Sequence, residues 1–243
     1  MGRNEIVFGI RAVIEAIQAG KEIDRVFIKK DLQSELSAEL FRLLKDHHIL
    51  SQRVPVERLN RITGKNHQGV IAFVAEVTYQ KIEDIIPTLF EQGKNPFIVI
   101  LDGITDIRNF GAIARTCECA GVDAIVIAEK GSVSVNSDAI KTSAGALLSL
   151  PICREKNLTN TVKFLKNSGI HIIAANEKGD KPYTQANYSN PVAIIMGAED
   201  AGVAPERLRI CDEIVKIPQY GVIDSLNVSV AAGILMYEVV RNK

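Results

Sequence analysis

The feature that most constrains the fold is a series of short, nearly unbroken apolar runs at 97–101, 124–128, 149–153, 171–175, 192–196 and 213–217, mostly separated by helical or loop segments. Runs of this length without alternation suit strands buried on both faces, and such strands belong to parallel sheets covered by helices. Residues 97–243 therefore read as an α/β domain with a mostly parallel sheet and helices on both faces. Alternation by itself predicts an ordinary doubly wound order, because connections seldom thread loops.

The residues before this domain read as a smaller α/β unit, residues 1–77. Val13, Ile14 and Ile17 form an apolar face from Arg11 to Ala19, and Gly20 sits where that helix should stop. A strand is expected at Asp24–Lys29, a helix around Leu36, Leu40, Leu43 and Leu44, a short strand at Arg53–Glu57 and a longer one at Gly69–Val77. Residues 78–96 form a connector. Ile82, Ile85, Ile86, Leu89 and Phe90 have helical spacing there, and Gln92-Gly93-Lys94-Asn95-Pro96 is the stop.

A chain of 243 residues with 47% hydrophobic content can bury one large core or two modest ones. It has no apolar run of about 18 residues, and Arg3, Asn4 and Glu5 stand where a secretory leader would place a basic start and an apolar core. A cytoplasmic protein without a membrane segment is expected. Cys117, Cys119, Cys153 and Cys211 lie in apolar or helical segments without metal-ligand spacing, so buried free thiols and no metal are expected. The net charge of zero argues weakly against a nucleic-acid partner, yet Arg53, Arg58, Arg61, Lys65 and His67 face only Glu57 between Ser51 and Gln68. That stretch reads either as a phosphate-contacting face or as a solvated loop.

The third informative region is Ile217-Pro218-Gln219-Tyr220-Gly221-Val222-Ile223-Asp224-Ser225-Leu226-Asn227-Val228-Ser229-Val230, where a strand end meets an apolar helix expected over Ala231–Val240. Ser225, Asn227 and Ser229 alternate with apolar residues. Each can cap the helix, and together they form a donor-rich junction able to hold a ligand. Two other segments follow strand candidates in the same way: Asp102-Gly103-Ile104-Thr105-Asp106-Ile107-Arg108-Asn109-Phe110-Gly111-Ala112-Ile113-Ala114-Arg115, and Met196-Gly197-Ala198-Glu199-Asp200-Ala201-Gly202. A helix is expected over Phe110–Ala120, with Asn109, just before it, as its N-cap.

In order and spacing these three segments resemble the motifs of the SpoU (TrmH) family of RNA ribose 2'-O-methyltransferases, within the SPOUT superfamily, over residues 97 to 243. Phe8-Gly9-Ile10-Arg11-Ala12-Val13 and His67-Gln68-Gly69-Val70 resemble the ribosomal-protein-like RNA substrate-binding domain that precedes the catalytic domain in many members. The resemblance implies a deep C-terminal trefoil knot, S-adenosylmethionine as methyl donor, and a homodimer. It also implies that Asn109, Arg115, Glu199, Ser225 and Asn227 are catalytic, and that Gly197, Ile217 and Leu226 contact the cofactor. Asp200 stands where many relatives have Gly, which leaves the loop geometry open. Possession of the N-terminal unit makes the chain similar to members that methylate a guanosine ribose in large-subunit (23S) ribosomal RNA, with transfer RNA and a non-catalytic RNA-binding role as alternatives. A nicotinamide-dependent oxidoreductase fits the strand-helix alternation but lacks the Gly-rich pyrophosphate turn after the first strand.

Overall fold

The computed structural model describes residues 5–188, 191–223 and 225–243; Arg3, Asn4 and Asp224, named above, lie outside the described residues. The chain divides into two compact units, one made chiefly of residues up to Thr78 and the other of residues from Tyr79 onward.

The first unit runs β1 (Ile6–Phe8), α1 (Ile10–Gln18), β2 (Ile23–Lys29), α2 (Ser37–Asp46), β3 (Ser51–Val54), α3 (Val56–Ile62) and β4 (Val70–Val74). Its sheet has the order β1-β4-β2-β3, antiparallel except for the β2–β3 pair. Ile10, Val13, Ile14 and Ile17 of α1 and Leu40 and Leu44 of α2 close one face over Val26, Ile28, Val70 and Ala72. Leu59 of α3 packs with Phe27, Val54 and Ile71 on the other. The strand expected at 53–57 is thus two elements. Pro55, extended at φ −61° and ψ 148°, ends the strand and opens α3, since it has no N–H to give a ladder and is at ease just before a helix. β4 is shorter than the run 69–77.

The second unit holds α4 (Ile82–Glu91), β5 (Phe97–Asp102), α5 (Ile107–Cys119), β6 (Ala124–Ala128), α6 (Ser137–Thr142), β7 (Ile152–Glu155), α7 (Leu158–Asn167), β8 (His171–Ala175), β9 (Lys181–Pro182), β10 (Val192–Gly197), α8 (Pro205–Leu208), β11 (Glu213–Lys216) and α9 (Val228–Arg241). Its seven strands pair in parallel in the order β7-β6-β5-β10-β8-β11-β9. Every residue of β5 is buried, as central strands covered on both faces require. Alternate residues of the sheet, among them Ile98, Ile100, Val126, Ile172 and Ile195, pack with Ile82, Ile86, Leu158, Val162 and Leu165 of α4 and α7. In α5 and α9 the buried residues include Phe110, Ile113, Cys117, Leu235, Met236 and Val239, and the Cys117 thiol lies 3.5 Å from the Met236 sulfur.

Leaving out β9, the strands stand in the sheet in the chain order third, second, first, fifth, fourth, sixth. The common doubly wound order has fourth before fifth. The exchange sets β10 beside β5, with Gly197 directly opposite Asp102. The ordinary order drawn from alternation is therefore not the one observed.

Four further differences have local causes. The run 149–153 gives a strand only from Ile152, because Leu148 and Leu150 close a tight turn through N–H bonds to Gly145 and Ala146 carbonyls. α9 begins at Val228, three residues early, because Asn227 caps it. α5 begins at Ile107, with Asp106 as its cap. Burial keeps the Cys117 and Cys153 thiols neutral, pushing Cys153 up to about 12 with help from Glu155, but Cys119 is exposed and Cys211 only half-buried.

Candidate active site at the carboxyl ends of the central strands

Crevices at the carboxyl ends of parallel strands collect ligands where the chain reverses its direction across the sheet. Here that point lies between β5 and β10. From β5 the chain turns at Asp106, whose carboxylate accepts the Asn109 backbone N–H at 2.8 Å. Asn109 is therefore inside the first turn of α5 and is not its cap, which corrects the capping role expected for it. Its side chain is left free for other partners.

Those partners come from the other two segments. Asn109 Nδ2 donates to Glu199 Oε1 at 3.0 Å, and Asn227 Nδ2 donates to the same oxygen at 2.8 Å and to Asn109 Oδ1 at 2.9 Å. Asn227 Oδ1 in turn accepts the Ser229 N–H at 3.0 Å, capping α9. One carboxylate thus gathers two amides from elements separated by 90 and 28 residues. Bonds to an ionised acceptor are the stronger kind. Among the described residues the second oxygen of Glu199 has no hydrogen-bond partner.

The loop that carries Glu199 is held from both sides. A Cβ on Gly197 would stand 2.0 Å from the Gly202 carbonyl carbon and 2.2 Å from the Val203 nitrogen. Gly202 adopts φ +64° and returns its N–H to the Ala198 carbonyl at 2.8 Å. Gly197 is required by the loop's own backbone, which is a different reason from the ligand approach that the resemblance implies. Beyond it, Arg207 grips Asp102 through two bonds of 2.8 Å, while the Ala204 N–H reaches the same carboxylate at 2.9 Å. Sequence reasoning quoted Asp102 but missed this pair. A carboxylate closing a fully apolar strand must be satisfied, which was a usable signal, but nothing in the spacing identified Arg207.

Arg115 and Ser225 are not brought into this network. Six residues beyond Asn109, Arg115 lies about 9 Å along α5 and roughly 120° around it, on the exposed stripe of Arg108. Among the described residues neither the Arg115 nor the Ser225 side chain has a hydrogen bond or ion pair. Ile217 is half-buried and Leu226 is 37% exposed, so both offer apolar surface at this end of the sheet. The Ile217 carbonyl accepts from the Gln219 side chain at 3.2 Å.

In the first unit the basic stretch divides. His67 is buried, sharing Nε2 with Asn60 Oδ1 at 2.8 Å and accepting the Gly69 N–H on Nδ1 at 3.0 Å; it organises the loop and is not a phosphate contact. Arg53, Arg58 and Lys65 are exposed, each with its cation over a ring, respectively Phe41, Phe27 and Phe8, at 5.3, 4.5 and 5.6 Å. Among the described residues no cluster of three or more His, Cys, Asp or Glu is arranged to hold a metal ion, and no helix is long and apolar enough to cross a membrane.

Comparison with known proteins adds independent findings. Residues 96–237 match the SpoU rRNA Methylase family, and residues 6–80 match the RNA 2'-O ribose methyltransferase substrate-binding family. A relative from Staphylococcus saprophyticus, named for the TrmH family of tRNA/rRNA methyltransferases, is 32% identical across 98% of this chain and 96% of its own. The AdoMet-bound rRNA methyltransferase of Sinorhizobium meliloti superposes with a TM-score of 0.62 at 27% identity, over 98% of this chain and 87% of its own. The TrmH/SpoU tRNA modifying enzyme of A. aeolicus covers 66% of this chain and 83% of its own, at 31% identity and a TM-score of 0.56. Two matched domains in the family's order, on a sheet whose three loop segments meet at Glu199, show that the chain belongs to the SpoU rRNA methylase family.

Proposed function

We propose that this protein transfers the methyl group of S-adenosylmethionine to a ribose 2'-hydroxyl, and that its substrate is a guanosine of 23S ribosomal RNA. The observation that carries the reading is the convergence of Asn109, Glu199 and Asn227 from three distant segments at the reversal point of the sheet. The ribosomal substrate is favoured because an rRNA methyltransferase spans 98% of the chain, whereas a tRNA-modifying relative spans 66%.

The residues present suit the donor. Ile217 and Leu226 supply apolar surface for an adenine, and backbone groups of the Gly197 loop would read its polar edge. Bound there, S-adenosylmethionine supplies an electrophilic sulfonium methyl. Asn109 and Asn227, fixed by Glu199, order the surrounding loops, and Ser225 adds a hydroxyl at the rim. Arg115 cannot act as a base, because guanidinium stays protonated and has no acceptor. Its role is to bind the adjacent phosphate and favour the developing 2'-alkoxide, the proton leaving to phosphate or water.

The separation of Arg115 from the triangle supports a homodimer in which α5 of one subunit faces the site of its partner. Val230, Tyr237 and Val240 are 51%, 52% and 38% exposed, an apolar face on a helix whose opposite side, with Ala232, Leu235, Met236 and Val239, is already buried in the core. Light scattering on the active protein should give twice 26.6 kDa, and Tyr237→Asp should yield inactive monomer. Val239 is fully buried within the chain and would report folding instead.

Residues 1–77 are assigned to RNA selection, with Arg53, Arg58, Arg61 and Lys65 as phosphate contacts. The deep trefoil knot and a cytoplasmic location complete the reading. Mapping 2'-O-methyl sites in ribosomal and transfer RNA from cells with and without the protein tests it: one 23S guanosine should lose its mark, and an unchanged map would overturn the assignment.

A further inference from the structure

We propose that Tyr220 is the stacking platform for a nucleobase of the RNA beside the ribose that is methylated, an inference that rests on the methyltransferase reading above. Tyr220, Val222 and Ile223 are 96%, 103% and 77% exposed. Isolated exposed apolar residues are ordinary. Three within four positions, on the segment between Ile217 and the Asn227 cap, form a surface that awaits contact.

The chemistry of the segment selects the occupant. From Ile217 to Val240 there is no Lys or Arg, so this loop has no cationic side chain of its own to offer a phosphate. What it presents is one aromatic face with a polar tip, flanked by aliphatic groups. Single-stranded RNA is recognised by splaying bases onto such faces, and stacking tolerates any base. Gln219, bonded to the Ile217 carbonyl at 3.2 Å, steadies the residue next to Tyr220. Among the described residues the Tyr220 hydroxyl has no hydrogen bond and its ring no aromatic or cationic partner. A second copy of the chain is the less fitting occupant, since α9 offers its own exposed apolar residues for that purpose.

The test uses the full chain, labelled S-adenosylmethionine, and total RNA from cells lacking the protein. Tyr220→Ala should raise the apparent KM for RNA about tenfold or more, while donor affinity by calorimetry stays within about twofold and the mass by light scattering is unchanged. Tyr220→Phe and Tyr220→Trp should remain within about threefold of the natural protein. A Tyr220→Ala protein with unaltered KM overturns the inference, as does failure of Phe and Trp to rescue. Loss of donor affinity would place the ring in the cofactor pocket, and conversion to a smaller species would place it between subunits; either also overturns it. Absence of methyl transfer by the natural protein itself would instead sink the methyltransferase reading.

Discussion

Asn227 and Glu199, on different loops and 28 residues apart, are joined by a bond of 2.8 Å from the amide Nδ2 to the carboxylate Oε1. The same amide caps α9, so the helix cannot shift without disturbing the carboxylate. Glu199→Ala should lower methyl transfer by about tenfold or more, with Glu199→Gln less harmful because one acceptor oxygen remains. Asn109→Ala and Asn227→Ala should be non-additive, coupling by about 0.5–3 kcal/mol as residues of one network do. A double-mutant cycle on turnover measures this, and strict additivity would dissolve the network.

Arg115→Lys tests the guanidinium. Lysine keeps the charge but loses the planar fork. Turnover should fall nearly as far as in Arg115→Ala, with donor binding by calorimetry intact in both. Wild-type turnover in the lysine variant would exclude a bidentate contact with ribose or phosphate.

Gly197→Ala should be poorly tolerated, since its Cβ would lie 2.0 Å from backbone of the same loop. A lower urea midpoint together with weakened donor binding is expected. Unchanged stability would mean that the loop opens at little cost.

Asp102→Ala should cost up to about 3–5 kcal/mol, the range for breaking a buried pair, because the Ala204 N–H would lose its acceptor and Arg207 would keep only the exposed Glu206 at 3.1 Å as a counter-charge. Urea unfolding gives the value. A loss near that of an exposed pair, about 1 kcal/mol or less, would show that water reaches the guanidinium.

Acid should destabilise the protein through Asp212 and Glu213. Burial alone would push both carboxyls up, but bonds from Lys166 and the Ile172 N–H to Asp212, and from Lys181, His171 and the Asn187 N–H to Glu213, outweigh it and hold them below their ordinary values of 3.8 and 4.5. Depressed folded-state values stabilise above the unfolded values, and that stability is lost as pH falls below about 4.5 and through the lower folded values. Urea midpoints from pH 7 to pH 3 should fall on the acid side. Asp212→Asn with Glu213→Gln should be less stable at neutral pH and show a flatter acid limb.

Much of this molecule was legible in the sequence, because strand burial and helix amphipathicity are written in local periodicity. The runs at 97–101, 124–128, 171–175 and 192–196 became strands within a residue, since each is apolar on both faces and bounded by turns. The three site segments were legible as motifs. Local pattern failed where one residue changes the geometry: Pro55 divided an expected strand, and Asp106 took the cap assigned to Asn109.

Tertiary structure alone decided the rest. The exchange of β8 and β10 in strand order leaves no trace in periodicity, because an apolar strand is equally content beside any neighbour of the same pattern. The meeting of Asn109, Glu199 and Asn227 and the grip of Arg207 on Asp102 depend on that order, whereas Arg115 is set apart from Asn109 by helix spacing alone. Hydrogen bonds act over about 3 Å, and only the folded sheet brings residues 90 or 105 positions apart within that reach.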